Sequence, residues 1–219
     1  MNEAILDAII RSREVVREVL EDRGFDTTAI QHELPTDLIT KASPSLLNDI
    51  ELELLRIQVP SKKKDSTQKA HVLYWMGLVR PKLNDKEKFD KLLPEGISPE
   101  DQIIILLNEG GETLNDTFHA VASNRWITKK QCVSFFEIRS LFSNPKNHIL
   151  VPPHIRVPPE EVEDLLKKIR VKSKLELPHI RYHIDMQARI IGLVPSEIVK
   201  IIRSSPTIGE YIMYRICVP

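Results

Sequence analysis

Apolar side chains recur at helical spacing at the start of the chain. Four of them fall close to one face of a helix, namely Ile5, Ile9, Val16 and Leu20. Gly24 follows as a natural stop, because glycine readily adopts the left-handed backbone conformation that ends many helices. Residues 26–34 predict a second short helix, which ends before Pro35. The chain is therefore expected to begin with helical structure.

The next stretch combines strand patterns with helical ones. Residues 55–59 alternate between apolar and polar positions, and residues 72–76 predict a second strand. Residues 85–93 predict a short helix, and the continuous apolar run 103–107 is typical of a strand covered on both faces. One face of a further helix follows: Leu114, Phe118, Val121 and Ala122. A strand over residues 132–138 completes a strand–helix–strand unit, so its two strands are expected to be parallel.

Different elements are predicted after residue 145. Pro158 and Pro159 precede two glutamates and open a helix, because proline in the first turn and acids near the N-terminus both favour helix initiation. Residues 180–191 predict another short helix, and residues 198–202 and 210–216 predict two strands. The connection between these strands is too long for a tight hairpin turn, but antiparallel pairing stays open.

Proline and charge are also distributed unevenly along the chain. Residues 148–219 hold 8 of the 15 prolines and carry 11 Lys and Arg against 8 Asp and Glu, whereas residues 1–147 carry 20 against 23. Together with the change in pattern, this predicts two domains, 1–145 and 146–219. The expected class is α+β, with an N-terminal α/β domain that has a mixed sheet and a small C-terminal α/β domain.

The overall composition excludes several classes of protein. The 219 residues carry 31 Lys and Arg and 31 Asp and Glu, which argues against a protein that coats nucleic acid by bulk electrostatics. No apolar run approaches the roughly 18 residues that span a bilayer, and the N-terminus lacks the basic start of a signal peptide. Cys132 and Cys217 are too few for a disulfide framework and are expected to be reduced thiols.

No pattern in the sequence assembles a catalytic or metal site. The glycine pair at 110–111 lacks the spacing and the lysine of phosphate-binding loops. His179 and His183 would share a helix face, but no convincing third ligand accompanies them. Metal-dependent nucleases typically set a carboxylate two positions before a lysine, and the nearest substitute is Glu137 before Arg139, which does not release a proton. No cofactor and no metal are therefore expected.

The C-terminal part carries a series of spaced motifs, which together are called the motif residues. In chain order they are His148, Leu150, Val151, Pro152, His154, Leu177, Pro178, Ile180, Asp185, Ala188, Arg189, Gly192, Lys200, Arg203, Thr207, Gly209, Tyr211, Tyr214 and Arg215. In this order and spacing they resemble the shared fifth subunit of eukaryotic-type DNA-dependent RNA polymerases, a two-domain relative of a smaller archaeal polymerase subunit. Residues 1–145 resemble the jaw domain of that family more loosely.

The resemblance implies a noncatalytic subunit of a multisubunit RNA polymerase. Residues 146–219 would form an assembly domain that docks on the largest subunit, and residues 1–145 would form a jaw beside downstream DNA during transcription. The implied partners are the largest and other polymerase subunits, and DNA through the assembled enzyme, with no membrane and no small-molecule substrate. The archaeal relative lacks a jaw, so the resemblance points to a nucleus, or to a virion or viral factory in the host cytoplasm if a large DNA virus encodes the chain.

Three lysines in the first domain are the best local candidates for facing DNA: Lys62, Lys63 and Lys64. The alternative is a solvated polar loop, which is the usual role of a short charge run. Two other functions stay open, namely a metal-dependent, nuclease-like DNA enzyme built on the first domain and a free-standing transcription regulator.

Overall fold

In the computed structural model, the described residues are 3–30, 53–63, 66–76, 89, 90, 92–108, 114, 116–205, 207 and 209–219. They divide into two compact units, Met1–Asn144 and Pro145–Pro219. Each unit contains a four-stranded sheet with both parallel and antiparallel pairs, which confirms the predicted α+β class. Some predicted features lie outside the described residues: 31–34, Lys64, 85–88 and the glycine pair at 110–111.

The first unit opens with helix α1, Glu3–Asp22, at the predicted position. Gly24 follows it with a φ of +87°, and its N–H donates to the carbonyl of Glu21 at 2.9 Å. This left-handed residue turns the chain away from the helix axis, as its place in the sequence predicts. Residues 26–30 are the described part of the second predicted helix, and only Thr28–Ile30 form a helical turn, of the 3₁₀ type.

The sheet of the first unit has the order β1-β2-β3-β4. Its strands are β1 (Ile57–Pro60), β2 (Lys69–Met76), β3 (Gln102–Asn108) and β4 (Cys132–Glu137). Strand β1 is antiparallel to β2, whereas β2, β3 and β4 are parallel. Helix α2, Asp116–Lys129, lies between β3 and β4 in the chain, so the predicted strand–helix–strand unit with parallel strands is confirmed.

Helix α1 contacts one face of this sheet through a cation. The guanidinium of Arg13 lies 5.6 Å from the ring centre of Tyr74 in β2. It also donates to the carbonyl of Leu55 at 2.8 Å, which fixes the helix against the segment before β1. Both Arg13 and Tyr74 are buried, so this contact belongs to the interior of the unit.

An aromatic cluster lies on the opposite face, because side chains alternate along a strand. Trp75 of β2 packs against Phe89 with their ring centres 5.9 Å apart. Phe118 of α2 packs edge-on against Phe135 of β4 at 5.2 Å. With both faces covered, the central strand β3 is buried from Gln102 to Leu107, which explains its continuous apolar sequence.

The strand predicted over residues 132–138 ends one residue earlier, because Ile138 begins a 3₁₀ turn, Ile138–Leu141. Two further predicted boundaries in this unit are wrong. Leu55 belongs to a 3₁₀ turn, Glu53–Leu55, and not to the first strand, because its carbonyl is taken by Arg13. Leu114 precedes helix α2, and its N–H donates to the carboxylate of Glu137 at 2.8 Å. In both cases a contact distant in sequence captures the residue that local periodicity assigned to the element.

The sheet of the second unit has the order β5-β7-β8-β6. Its strands are β5 (His154–Arg156), β6 (His179–Arg181), β7 (Ile198–Ser205) and β8 (Gly209–Val218). Strand β7 is antiparallel to both neighbours, and β6 is parallel to β8. Strands β7 and β8 are extended versions of the two predicted strands, whereas β5 and β6 were not predicted.

One face of this sheet packs against helix α3, Val162–Lys168, which follows a 3₁₀ turn over Pro159–Glu161 as the prolines predict. The apolar core on this face consists of Val157, Leu177, Ile198 and Ile216, with Val162, Leu165, Leu166, Ile169, Tyr214 and Val218 packed around it. Val199 and Cys217, which alternate with core residues, are also buried, so the opposite face is partly covered as well.

The helix predicted over residues 180–191 is correct only in its second half. Helix α4 spans Met186–Ile190, whereas Ile180 lies in strand β6. The N–H of Tyr182 donates to the carbonyl of Val218 at 2.7 Å, so pairing with β8 keeps this segment extended. His179 and His183 consequently do not share a helix face.

A buried carboxylate in the first unit organises the start of β2 and β3. Asp101 is 3% exposed, and its carboxylate accepts hydrogen bonds from the backbone N–H groups of Lys69 and Ser98 at 2.8 and 2.9 Å. The Nε2 atom of His71, also buried, lies 3.2 Å from the same carboxylate. Asp101 therefore supplies the acceptor for three polar groups in a part of the fold that excludes water.

We expect Asp101→Ala to lower the free energy of unfolding of the first unit by about 2–4 kcal/mol, since it leaves these donors without an acceptor. Urea unfolding followed by tryptophan fluorescence measures this, because both tryptophans, Trp75 and Trp126, lie in this unit. The matched control is Asp7→Ala, which removes an exposed ion pair with Arg11 and should cost at most about 0.5 kcal/mol. Equal effects of the two substitutions would contradict the prediction.

Candidate functional site

The first motif residues build a turn that leads into β5. The N–H of Val151 donates to the carbonyl of His148 at 2.8 Å, and the N–H of Leu150 donates to the His148 ring at 3.2 Å. The turn presents two apolar side chains to solvent, with Ile149 94% exposed and Leu150 81% exposed. Stabilising this turn is thus a structural role for His148, and the two exposed side chains need another explanation.

A capped helical turn accounts for the motif that runs from Asp185 to Gly192. The Asp185 carboxylate accepts hydrogen bonds from the N–H groups of Gln187 and Ala188 at 2.8 and 3.0 Å, which caps the start of α4. Gly192 has a φ of +63°, and its N–H donates to the carbonyl of Arg189 at 3.1 Å. The aspartate and the glycine therefore fix the two ends of one short helix.

Arg156 of β5 secures the same turn, although no signal in the sequence marked it. Its Nη2 atom donates to the carbonyl of Ile191 at 2.8 Å and also to that of Gly192. Its Nε atom lies 3.4 Å from the carboxylate of Glu197, which in turn accepts from the N–H of Val194. The role of Arg156 depends on a strand of only three residues, which is too short to show a periodic pattern.

Other motif residues hold the sheet together. Leu177 belongs to the apolar core, and the carbonyl of Pro178 accepts the N–H of Ile216 at 2.9 Å. Tyr214 packs against the same core and pairs across the ladder with Lys200, which is half-buried. These residues serve the fold.

Four further motif residues lie near the end of the β7–β8 hairpin. Gly209 has a φ of +78° and pairs with Ser205, while the hydroxyls of Ser205 and Thr207 lie 3.2 Å apart. Just beyond, Arg203 and Tyr211 lie opposite each other on the two strands, and both are exposed. The hairpin therefore presents a cation and an aromatic ring at its surface.

A cleft of about 480 Å³ opens on the second unit. All four strands line it, together with the segment that leads into α4. The structure brings five motif residues together here: His154, Ile180, Asp185, Arg203 and Arg215. Its floor is apolar, since Ile180 and Ile201 are only 5% and 2% exposed, whereas Arg181, which the sequence did not single out, is exposed at its wall.

Large apolar side chains are exposed unevenly between the two units. Of the ten that are exposed among the described residues, seven belong to the second unit, although it is the smaller one. These seven are Ile149, Leu150, Ile155, Leu175, Ile184, Tyr211 and Ile212. Ile149 and Leu150 are neighbours in the exposed turn, and adjacent exposed apolar side chains of this kind are typical of a surface that another protein covers.

The lysine candidates for DNA lie in the first unit. Lys62 and Lys63 are exposed, and Lys64 lies outside the described residues. The N–H of Lys62 donates to the carbonyl of Gly24 at 2.9 Å, so its backbone position is fixed by the end of α1. The predicted loop is therefore attached to the helix at this point.

Two carboxylates weaken the field of Lys62. A hydrogen bond from the Thr27 hydroxyl is the main cause that lowers the pKa of Glu21, and a hydrogen bond from Thr28 is the main cause that lowers the pKa of Asp26. The charge of Lys62 adds to both effects. Both carboxylates are therefore ionised near neutral pH and oppose the attraction of a phosphate to this lysine.

No metal site or nuclease centre forms among the residues that the structure describes. No three of their His, Cys, Asp and Glu side chains come together in a group that could hold a metal ion. His179 is exposed in β6, whereas His183 is buried. The carboxylate of Glu137 accepts the N–H of Leu114. In the described part of the chain, no helix has the length and apolar character needed to cross a membrane.

Comparison with known proteins adds independent information. Residues 143–217 match the family described as RNA polymerase Rpb5, C-terminal domain. The subunit rpabc1 of DNA-directed RNA polymerases I, II and III from Dictyostelium discoideum is 27% identical over 213 residues, which cover 97% of this chain and 98% of that protein. The DNA-directed RNA polymerase subunit Rpo5 from Methanocaldococcus jannaschii is 44% identical over 72 residues, which cover 33% of this chain and 90% of that protein. The subunit RPABC1 from Caenorhabditis elegans is 39% identical over 89 residues, or 41% of each chain.

These relatives are all subunits of DNA-directed RNA polymerases, and this is the class of protein to which the fold and the motif residues lead. The chain belongs to the Rpb5 family of RNA polymerase subunits, to which the archaeal Rpo5 is also related. It is a noncatalytic subunit that acts in transcription, and its partners are other polymerase subunits. The nuclease and free-standing regulator alternatives are thereby set aside.

We expect Asp185→Ala to destabilise the second unit by about 0.5–2 kcal/mol, because it removes the cap of α4. Asp185→Asn should retain most of the stability, since an asparagine oxygen also accepts at this position. Hydrogen exchange of the Gln187 and Ala188 amides, together with thermal unfolding, measures the change. Asp164→Ala is the control, because this carboxylate is exposed on α3 and its loss should change stability little. If the Gln187 and Ala188 amides of the Asp185→Ala variant exchange as slowly as those of the wild type, the capping role is refuted.

Proposed function

We propose that the second unit docks on the largest polymerase subunit. The observation that supports this most strongly is the concentration of exposed large apolar side chains on that unit. Two of them, Leu150 and Tyr211, are motif residues that do not belong to the apolar core. Burial of apolar area drives most protein association, so these side chains fit a surface covered in the complex.

The archaeal comparison supports the same assignment. The Rpo5 match covers nearly all of that small protein but only a third of this chain. The family model likewise matches residues 143–217, which lie almost entirely in the second unit. The 72 residues of the Rpo5 match fit the size of the second unit, Pro145–Pro219, so we expect this unit to carry the attachment to the enzyme core.

The first unit is proposed to act as a jaw beside downstream DNA. Residues 1–147 are net negative, and Glu21 and Asp26 stand beside Lys62, so this unit should contact DNA weakly and only when the rest of the enzyme positions it. The proposed location is the nucleus, in accord with the eukaryotic relatives. A virion or viral factory would replace it if the chain is encoded by a large DNA virus.

The docking proposal predicts that Ile149→Glu together with Leu150→Glu weakens capture of the largest subunit by the full-length chain at least about tenfold, because both charges would be buried in the interface. Both positions are exposed, so the variant should fold normally, and circular dichroism checks this. Ile127→Glu in α2 is the matched control, since it is also exposed but lies in the first unit. Equal capture by wild type and the double variant would contradict docking through this turn.

The jaw proposal predicts that the isolated chain does not bind duplex DNA tightly at about 150 mM salt. Within the assembled polymerase, Lys62→Gln with Lys63→Gln should reduce crosslinking to downstream DNA modestly, and the reduction should shrink as salt rises. Lys167→Gln with Lys168→Gln, in the second unit, is the control of equal charge. Tight binding by the isolated chain would show that the jaw does not depend on the assembled enzyme.

A further inference from the structure

The cleft on the second unit has an excess of positive charge. Its charged lining consists of three arginines and one aspartate, namely Arg181, Arg203, Arg215 and Asp185. The aspartate is committed elsewhere, because its carboxylate caps α4 through two backbone N–H groups. Its negative charge still offsets one arginine, so three positive charges against one negative charge leave this lining with a net charge of +2.

Two of the three guanidinium groups are available to a ligand. Arg215 donates from Nη1 to the carbonyl of His179 at 2.8 Å, which fixes that side chain along the wall of the cleft. Arg181 and Arg203 are exposed, and among the described residues no ion pair joins either of them to a carboxylate. Arginine presents its donors in a planar fork that matches a carboxylate, so both side chains suit bidentate pairing.

The rest of the lining restricts the class of ligand. Ile180 and Ile201 form a buried apolar floor, and Ile184 exposes about half of its surface at the rim. A ligand that fills this cleft must therefore combine negative charge with apolar surface. A peptide segment with acidic and aliphatic side chains has both.

We infer that this cleft binds an acidic peptide segment of the polymerase subunit on which the second unit docks, with Arg181 and Arg203 pairing its carboxylates. The inference rests on the proposed docking function and adds the chemistry of the partner. A peptide fits this cleft better than nucleic acid does. Duplex DNA is bound by cations spread along a surface, whereas these arginines line a cleft with an apolar floor.

The first test measures the affinity of the full-length chain for the largest subunit at about 50 and 250 mM salt. Arg181→Gln with Arg203→Gln should weaken binding about tenfold at low salt and reduce the dependence on salt, because two paired charges are lost. The charge-matched control, Lys168→Gln with Lys172→Gln, alters exposed cations that do not line the cleft and should stay within about twofold of wild type. Arg203→Lys should retain part of the affinity, since it keeps the charge but loses the planar fork.

The outcomes separate this inference from the docking proposal. If Ile149→Glu with Leu150→Glu abolishes binding while Arg181→Gln with Arg203→Gln binds like wild type, docking stands and the acidic ligand is refuted. If Arg181→Gln with Arg203→Gln and the control Lys168→Gln with Lys172→Gln lose affinity equally, the effect is general electrostatics and the inference is also refuted. If the wild-type chain does not bind the largest subunit at all, both proposals fail.

A second measurement identifies the ligand class directly. The full-length chain, labelled with ¹⁵N, is titrated with a hexaglutamate peptide that carries a leucine at each end, with the matching glutamine peptide, and with a short DNA duplex. Shifts of the Arg181 and Arg203 Nε–H signals with the glutamate peptide alone support the inference. Shifts with the duplex instead would overturn it in favour of a nucleic-acid site, and equal shifts with the glutamine peptide would overturn the role of charge.

Discussion

Strand β8 holds the second unit together, because it pairs with β7 on one side and with β6 on the other. Beyond these ladders, the N–H of Cys217 donates to the carbonyl of Glu197 at 2.8 Å, and the carbonyl of Cys217 accepts the N–H of Ser196 at 2.9 Å. The carbonyl of Val218 accepts the N–H of Tyr182, at the start of the segment that carries α4. The parts of the cleft wall on β6 and β7 therefore keep their positions through hydrogen bonds to β8, whereas His154 is held by the pairing of β5 with β7.

The alternation of side chains along this sheet gives its two faces different surroundings. Ile198 and Ile216 fill the core under α3, while their neighbours in sequence point the opposite way. On that opposite side Val199 and Cys217 are buried, whereas the cleft remains open over Ile201, Arg203 and Arg215. A small unit can in this way keep a complete core and still leave a cleft with an apolar floor and charged walls.

The elements that sequence patterns predicted are those whose burial follows from local periodicity. Strand β3 is apolar throughout because both faces of its sheet are covered, and α1 shows a helical stripe that Gly24 ends. Strands β5 and β6 were missed because three residues are too few to show alternation, and each exists only through pairing with a distant strand. For the same reason the motif residues could be recognised as a set, but the cleft could not be: Arg181 and Ile201 join it only after four separate segments have met.

The register of the second sheet also sets the order in which the chain can fold during synthesis. His154 pairs with Ile201, and His179 pairs with Ile216, so β5 and β6 leave the ribosome well before the strands that complete them. The first unit precedes them in the chain and is free to fold earlier, whereas the second sheet closes only after β8 has been made. A product of translation that stalls before β8 would therefore carry a finished first unit without a complete second sheet. Under the docking proposed for the second unit, such a fragment would not compete with the complete subunit for a place in the polymerase.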